Sequence, residues 1–324
     1  MHARTGLLLS TLGCVVRSSL AGSYKLKQNN VGSAFLDNFE WETLDDGPGG
    51  RTDYVSQSAA LSANLTYAKD DTFIMRVDDK SMLTNSSETG RKSVRIKSKA
   101  QYTTHLVVAD IRHMPNGCAT WPAFWEVNDD VGVENGEFDI MEGVNGQTPS
   151  YTTLHTNHTC TVPANRTQLG NATANDCSST TVQEGGDNGC DVASIYASSF
   201  GPVFNSNGGG WYVAERTSEA FSVWFWARND STVPDEVKSG NSSVSTGNWS
   251  TPLAYFPASS SCNFATNFKA HNILFDIALC GSWAGGQYGA ANCPGNCIDY
   301  VNSNATAFAE AYWDLAALRV YLSA

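Results

Sequence analysis

No long stretch of this chain repeats its apolar residues at helical spacing. They come instead in short alternating runs broken by Gly, Asn, Ser and Pro. A period of two suits a strand buried on one face and cannot serve a helix of any length. Four runs read as strands: Tyr102 to Ile111, Phe221 to Arg228, Asn272 to Cys280 and Tyr312 to Tyr321. The second carries aromatics on both faces. Strands of this kind, with turn signals between them, predict an all-β sandwich, and the lack of alternating βα units disfavours a parallel α/β fold. Two polar stretches interrupt the pattern. Thr159 to Cys190 reads as a long loop pinned by Cys160, Cys177 and Cys190, forming an ordered rim to a cleft. Asp230 to Gly247 reads as a surface loop. β-type sequence resumes after each, so neither is a linker, and a single domain is expected over residues 22–324.

The first 21 residues are set apart from that domain. Met1 to Arg4 is short and basic, Gly6 to Val16 is apolar, and Ser19-Leu20-Ala21 presents small residues where a signal peptidase reads. This predicts an export signal, residues 1–21, too short to span a membrane. No other stretch is apolar enough to cross a bilayer, and no membrane partner is expected. Cysteine usage agrees with export. Of 9 Cys, Cys14 falls in the signal, leaving Cys118, Cys160, Cys177, Cys190, Cys262, Cys280, Cys293 and Cys297. An even number predicts four disulfides whose pairing the sequence leaves open. Cys293-Pro-Gly-Asn-Cys297 has the spacing of half a zinc site, but no second half accompanies it. Asn64, Asn85, Asn157, Asn165, Asn171, Asn229, Asn241, Asn248 and Asn304 each begin an N-glycosylation triplet, and at this density several are expected to be used.

The formal net charge of -12 argues against a nucleic-acid partner. A neutral polymer fits better, and an 11% aromatic content, with 9 Trp and 12 Tyr, suits flat sugar faces as well as a core.

The residues that carry chemistry are Glu137-Phe138-Asp139-Ile140-Met141-Glu142, bracketed by Asn135-Gly136 and by Gly143-Val144-Asn145-Gly146. Between those turns the segment reads as a strand, with Glu137 and Asp139 on one face and Phe138 and Ile140 on the other. Strict alternation would send Glu142 to the wrong face. One extra residue absorbed by a β-bulge near Ile140-Met141 returns it to the face of the other two acids. The two Glu backbones are then roughly 13 Å apart, four residues at about 3.3 Å each. Their side chains leaning together bring the carboxyls to about 5–5.5 Å, the separation of a retaining glycosidase pair. Three like charges on one stripe repel, and at least one carboxyl keeps its proton to higher pH. Glycoside hydrolysis needs one protonated and one ionised carboxyl. A calcium loop, a solvated acidic face and a sugar site without catalysis are weaker readings of the same residues.

Glu137-X-Asp139-X-X-Glu142 resembles the signature of glycoside hydrolase family 16 in its bulged, laminarinase-like form. The similarity continues in Val31 to Leu36, Gly90 to Ile96, His113-Met114-Pro115, Thr120 to Glu126, Asn207 to Tyr212 and Cys293 to Tyr300, which are similar to fungal endo-β-1,3(4)-glucanases. The resemblance implies a concanavalin-like jelly roll with the substrate cleft on its concave sheet. It implies Glu137 as nucleophile, Glu142 as acid/base, Asp139 between them as auxiliary, and His155 as an auxiliary on the neighbouring strand. Trp121, Trp125, Arg95 and Trp283 are its implied β-glucan contacts, with Arg95 at the glucan-binding end and Trp283 on the opposite, reducing-end side. Phe138 is bulkier than the Ile or Val usual in the motif, and Ser282 stands where relatives often have Asp. No cofactor is implied, although some relatives hold a structural calcium through an Asp matching Asp314. The expectation is a secreted, monomeric, retaining endo-β-1,3(4)-glucanase, extracellular or in a cell wall. A cell-wall transglycosylase and a non-catalytic glucan-binding protein are the alternatives.

Overall fold

A computed structural model describes residues 22–47, 49–84, 89–128, 130–178 and 189–324. The expected export signal and the acceptor Asn85 lie outside these residues. The chain is a jelly-roll sandwich of two antiparallel sheets. The larger, nine-stranded sheet runs in the order Ser243–Ser245, Ser23–Asn30, Tyr312–Ser323, His105–His113, Gly210–Arg216, Ala220–Ala227 and Ala254–Pro257, with Thr72–Arg76 and Thr66–Lys69 attached beside Tyr312–Ser323. The eight-stranded sheet runs Asn171–Ala172, Cys190–Ala193, Tyr151–His155, Glu137–Glu142, Thr120–Val127, Asn272–Leu279, Ile96–Ser98 and Phe39–Trp41. The four expected strands are present, with ends displaced by at most three residues. Among the described residues the α-helices are short, the longest being the seven-residue Cys297–Ser303.

Alternation explains how the layers meet. Phe138 and Ile140 point between the sheets, where Phe138 packs on Phe221 of the opposite sheet at 5.0 Å between ring centroids. Phe124 and Phe275 stack at 4.5 Å, and Phe275 meets Trp313 edge-on. The Trp313 indole N–H crosses the core to donate to the Asp276 carbonyl at 2.9 Å, so this buried polar group is satisfied where the sheets touch. A charged group also sits inside. Glu126 is fully buried, paired with His105 at 2.8 Å and Arg216 at 3.2 Å. Burial alone would raise its carboxyl, but its interactions with His105 and Arg216 win and hold it down at about 2.

The strand Ala220–Ala227 has aromatics on both faces because it has apolar surroundings on both. Phe221, Val223 and Phe225 enter the main core, while Trp224 and Trp226 enter a second cluster on the outer face with Trp211 and Tyr321. Here the expectation of a plain surface loop at Asp230 to Gly247 is corrected. That segment forms a helix, Asp235–Ser239, and the edge strand Ser243–Ser245. Val233, Val237 and Val244 turn inward to seal the outer tryptophans, and Trp249 completes the lid by donating its indole N–H to Glu236. The polar residues between them face water.

The eight cysteines form Cys118–Cys293, Cys160–Cys262, Cys177–Cys190 and Cys280–Cys297. Two of these pin the Thr159 to Cys190 region, and the Cys293/Cys297 pair that had zinc-like spacing is spent on two different bridges. Truncation of Phe138, a large side chain with no exposure, leaves a cavity between the sheets. Phe138→Ala is expected to destabilise the fold by about 3–5 kcal/mol, read as the shift in urea unfolding midpoint at unchanged slope.

Candidate active site

The strand Glu137–Glu142 lies in the middle of the eight-stranded sheet, between Thr120–Val127 and Tyr151–His155. Its start is set by Gly136, whose φ of 79° lies in the left-handed region. A Cβ there would strike the Phe268 ring and the Asn267 carbonyl, so only glycine fits. Against Thr120–Val127, Asp139 pairs with Trp125 and Met141 with Phe124, leaving Ile140 as an extra residue; the register to Tyr151–His155 shifts at the same place. This is the expected bulge. Beyond it Glu142 returns to the face of Glu137 and Asp139, while Phe138, Ile140 and Met141 are fully buried.

Register then lays the cleft floor out in rows across the sheet. His155, Glu137, Val127 and Asn272 form one row, Thr153, Asp139, Trp125 and Leu274 the next, and Tyr151, Glu142, Ala123 and Asp276 the third. The cleft has a volume of about 330 Å³ and is lined by the three motif acids, His155, Trp121, Ala123, Trp125, Arg95, Tyr54, Asp276, Ala278 and the Leu44 to Gly47 loop. All of the expected site residues except Trp283 line it. Trp283 stands at its end, edge-on to Trp121 at 5.6 Å and to Tyr151 at 5.7 Å. Trp283 therefore sits at the Tyr151 end of the Glu142 row, whereas Arg95 sits beside Asp276, at the opposite end of that row.

The electrostatics follow from this layout. Burial and the charge of Asp139 push Glu137 up to about 7, against the pull of the His155 and Arg95 cations. Burial works against the His155 cation, but its Asp139 partner at 3.3 Å and the charges of Glu137 and Glu142 outweigh it and hold His155 well above its ordinary value. His155 is thus a counter-ion for the acidic stripe. A Cβ on Gly189 would collide with the His155 ring, so this glycine makes room for it. Glu142 accepts the Trp121 indole N–H on Oε2 at 3.1 Å, which fixes the carboxyl plane.

Trp121 is half-buried and presents an edge of the cleft. Trp125 is only 9% exposed and has the Arg95 guanidinium 4.8 Å from its ring centroid, so it is a cleft wall and not an open platform. Arg95 pairs with Glu42 at 2.7 Å and approaches Asp276 at 3.6 Å, and Lys97 also pairs with Glu42 at 2.9 Å. Asp276, Glu42 and Tyr54 were missed by the sequence reading. Burial pushes the Asp276 carboxyl up to about 7 although Arg95 pulls it down. Its signal was present: a lone acid inside the apolar run Ile273-Leu274-Phe275-Asp276-Ile277.

Asp314 Oδ1 accepts from Arg112 Nε at 3.1 Å. Among the described residues, ligand atoms of three His/Cys/Asp/Glu side chains converge only at Glu137, Asp139 and His155.

Residues 39–321 match the family described as XgeA-like, catalytic GH16 domain. The endo-1,3(4)-beta-glucanase xgeA of Emericella nidulans is 36% identical over 311 residues, 93% of this chain and 48% of that protein. This chain spans about half the length of that relative. Among solved structures, laminarinase 16A from Phanerochaete chrysosporium, with 6-O-glucosyl-laminaritriose in donor and acceptor sites, superposes with a TM-score of 0.89. It is 49% identical, covering 93% of this chain and all of that one. An elongating family 16 beta-1,3-glucosyltransferase gives a TM-score of 0.84 at 35% identity, covering 92% of this chain and all of that one.

Activity that needs Glu137 as an anion falls as pH drops through its raised pKa. Because the His155 cation pulls that pKa down, His155→Gln removes the pull and raises it further. The acidic limb of kcat/KM is expected to move to higher pH in this variant, measured as a pH–rate profile; an unmoved limb would contradict the counter-ion role.

Proposed function

The chain belongs to glycoside hydrolase family 16, and from that premise we propose that it is an exported, monomeric endo-β-1,3(4)-glucanase that works with retention of configuration and without a cofactor. The observation that carries the reading is the bulge at Ile140, which gathers Glu137, Asp139 and Glu142 on one face of the strand flooring the cleft. Similarity to the laminarinase that binds a glucan in donor and acceptor sites supports β-1,3-linked glucan as the substrate class. Four disulfides support an oxidising, extracellular location.

In this mechanism the Glu137 carboxylate attacks the anomeric carbon while Glu142 protonates the leaving oxygen. Oε2 of Glu142 accepts the Trp121 N–H, so the proton is carried on Oε1. A glycosyl ester on Glu137 results, and Glu142, now a base, takes a proton from the water that hydrolyses it. Before the attack the proton held by the acidic stripe must leave Glu137 and reside on Glu142. Asp139 and His155 adjust this balance, the first by repulsion and the second by attraction. Trp125 walls the donor sugar, Arg95 stands over its indole, and Trp283 with Tyr151 flanks the acceptor end.

A second reading, transfer of the glycosyl group to another sugar, is favoured by the 35% identity to a β-1,3-glucosyltransferase. Incubation with laminarin and lichenan under NMR separates the two. Initial β-anomers with new reducing ends are expected for the hydrolase, and longer oligosaccharides without new ends for the transferase. Initial α-anomers would overturn retention. The roles of the two acids are tested by azide rescue. Glu137→Ala is expected to lose hydrolysis by several orders of magnitude and, on a β-glycosyl fluoride, to yield the α-glycosyl azide as azide in the vacated space attacks with inversion and fluoride leaves. The rescued Glu142→Ala is expected to yield the β-azide, and exchange of these products would exchange the roles.

A further inference from the structure

Arg95 lines the cleft, whereas Glu42, which holds it, lies outside the cleft lining. Phe39–Trp41 is the outermost strand of the eight-stranded sheet, beside Ile96–Ser98. Glu42 extends that pairing by one residue, its N–H donating to the Arg95 carbonyl at 3.1 Å. Its side chain then turns back to the same residue. Oε2 accepts from Arg95 Nε at 2.7 Å, while Oε1 lies 2.9 Å from Lys97 Nζ. Arg95 and Lys97 stand two positions apart, so alternation places both on one face and sends Ile96 into the core. One carboxylate is thus shared between two cations, one oxygen to each.

Stability does not account for this arrangement. The Glu42 and Arg95 side chains are only 7% and 12% exposed. Charges so far removed from water recover little more than their dehydration cost, and apolar side chains of similar volume would hold the strand as well. The geometry offers another use. An arginine side chain has several rotatable bonds, and a cation beside an acidic stripe is drawn onto it. Asp276, which also lines the cleft, approaches Arg95 Nη1 at 3.6 Å, outside hydrogen-bond range. The bond at Nε, the root of the guanidinium plane, keeps the group from closing on Asp276 and fixes it 4.8 Å from the Trp125 ring centroid. Glu42 is itself anchored by its backbone bond, so little side-chain freedom is left to lose when a sugar enters.

We propose that Glu42 is a positioning residue for glucan binding, acting through Arg95: it holds the guanidinium over Trp125 so that the donor side of the glucan meets it preformed. The inference rests on the reading of the chain as a β-glucan-cleaving enzyme. Without the Glu42 carboxylate, Arg95 turns onto Asp276, and each binding event has to break that new pair and order the side chain again. This cost is common to the bound substrate and the transition state, so it enters KM and leaves kcat nearly intact.

A double-mutant cycle on the full chain with laminarin tests this. Glu42→Gln keeps the shape and loses the charge. It is expected to raise KM roughly tenfold, the size of a lost charge-assisted hydrogen bond, and to change kcat by less than about twofold. In an Arg95→Ala background the same substitution is expected to leave KM where Arg95→Ala alone puts it. Glu40→Gln removes an equal charge from an exposed position of the same strand, in register with Lys97, and is expected to behave as the parent. Glu42→Asp keeps the charge but is one methylene too short to reach both cations; a rise in KM of the same sign is expected, and this variant carries the test if Glu42→Gln does not fold. Unchanged KM in the Glu42 variants overturns the proposal. So does an equal rise with and without Arg95, or a fall in kcat at constant KM. A parent inactive on every β-glucan overturns the function and the proposal together, whereas any of the other adverse results in an active parent overturns the proposal alone.

Discussion

A strand alternates its side chains without exception unless a residue is inserted, and the gathering of the three acids on one face depends on one such insertion. Ile140 has no partner of its own in the register with Thr120–Val127. Upstream of it, Glu137 and Asp139 face the cleft; downstream, Glu142 does so too, although it stands an odd five positions after Glu137. The bulge is held because its three apolar side chains, Phe138, Ile140 and Met141, are all buried between the sheets. Removing the inserted residue would turn either the acid or the apolar set to the wrong side, and the burial of Phe138 against Phe221 decides which set would keep its place.

Once three carboxyls share a stripe, the surroundings have to offset their repulsion. His155 does so from the next strand, in register with Glu137 and ion-paired to Asp139. Arg95 does so from the other flank, where Asp276 and Glu42 in turn hold it. The result is an alternating run of charges across the cleft floor, anchored on strands far apart in sequence. Glu126, one residue along from Trp125, repeats the principle on the buried side of the sheet with His105 and Arg216. The two charge systems are separated by the thickness of one strand.

What the sequence made legible was local. The break of alternation at Met141 lies within six residues, so the bulge, the burial of Phe138 and the common face of the acids followed from periodicity. The strands followed from it as well. Two things did not. The Arg95, Glu42 and Asp276 network joins positions more than 50 and 180 residues apart, and nothing local marks them as neighbours. The cover over the outer tryptophans is the other. Its segment is polar by composition, and only Val233, Val237 and Val244 betray that one face is buried. Trp224 and Trp226 called for such a cover, but which stretch would supply it depends on the pairing of Ser243–Ser245 with Ser23–Asn30.

The segment that carries Trp283 ends in two bridges, Cys280–Cys297 and Cys118–Cys293. A protease cutting the chain between residues 286 and 292 would not part the molecule. The piece holding Trp283 would stay continuous with Cys280, and the piece beginning near Cys293 would stay tied to both Cys118 and Cys280. For covalent connection, the peptide backbone there is therefore dispensable in a way that the sulfur bonds around it are not. A nicked copy would remain one covalent molecule, with Trp283 still joined to the main chain through Cys280.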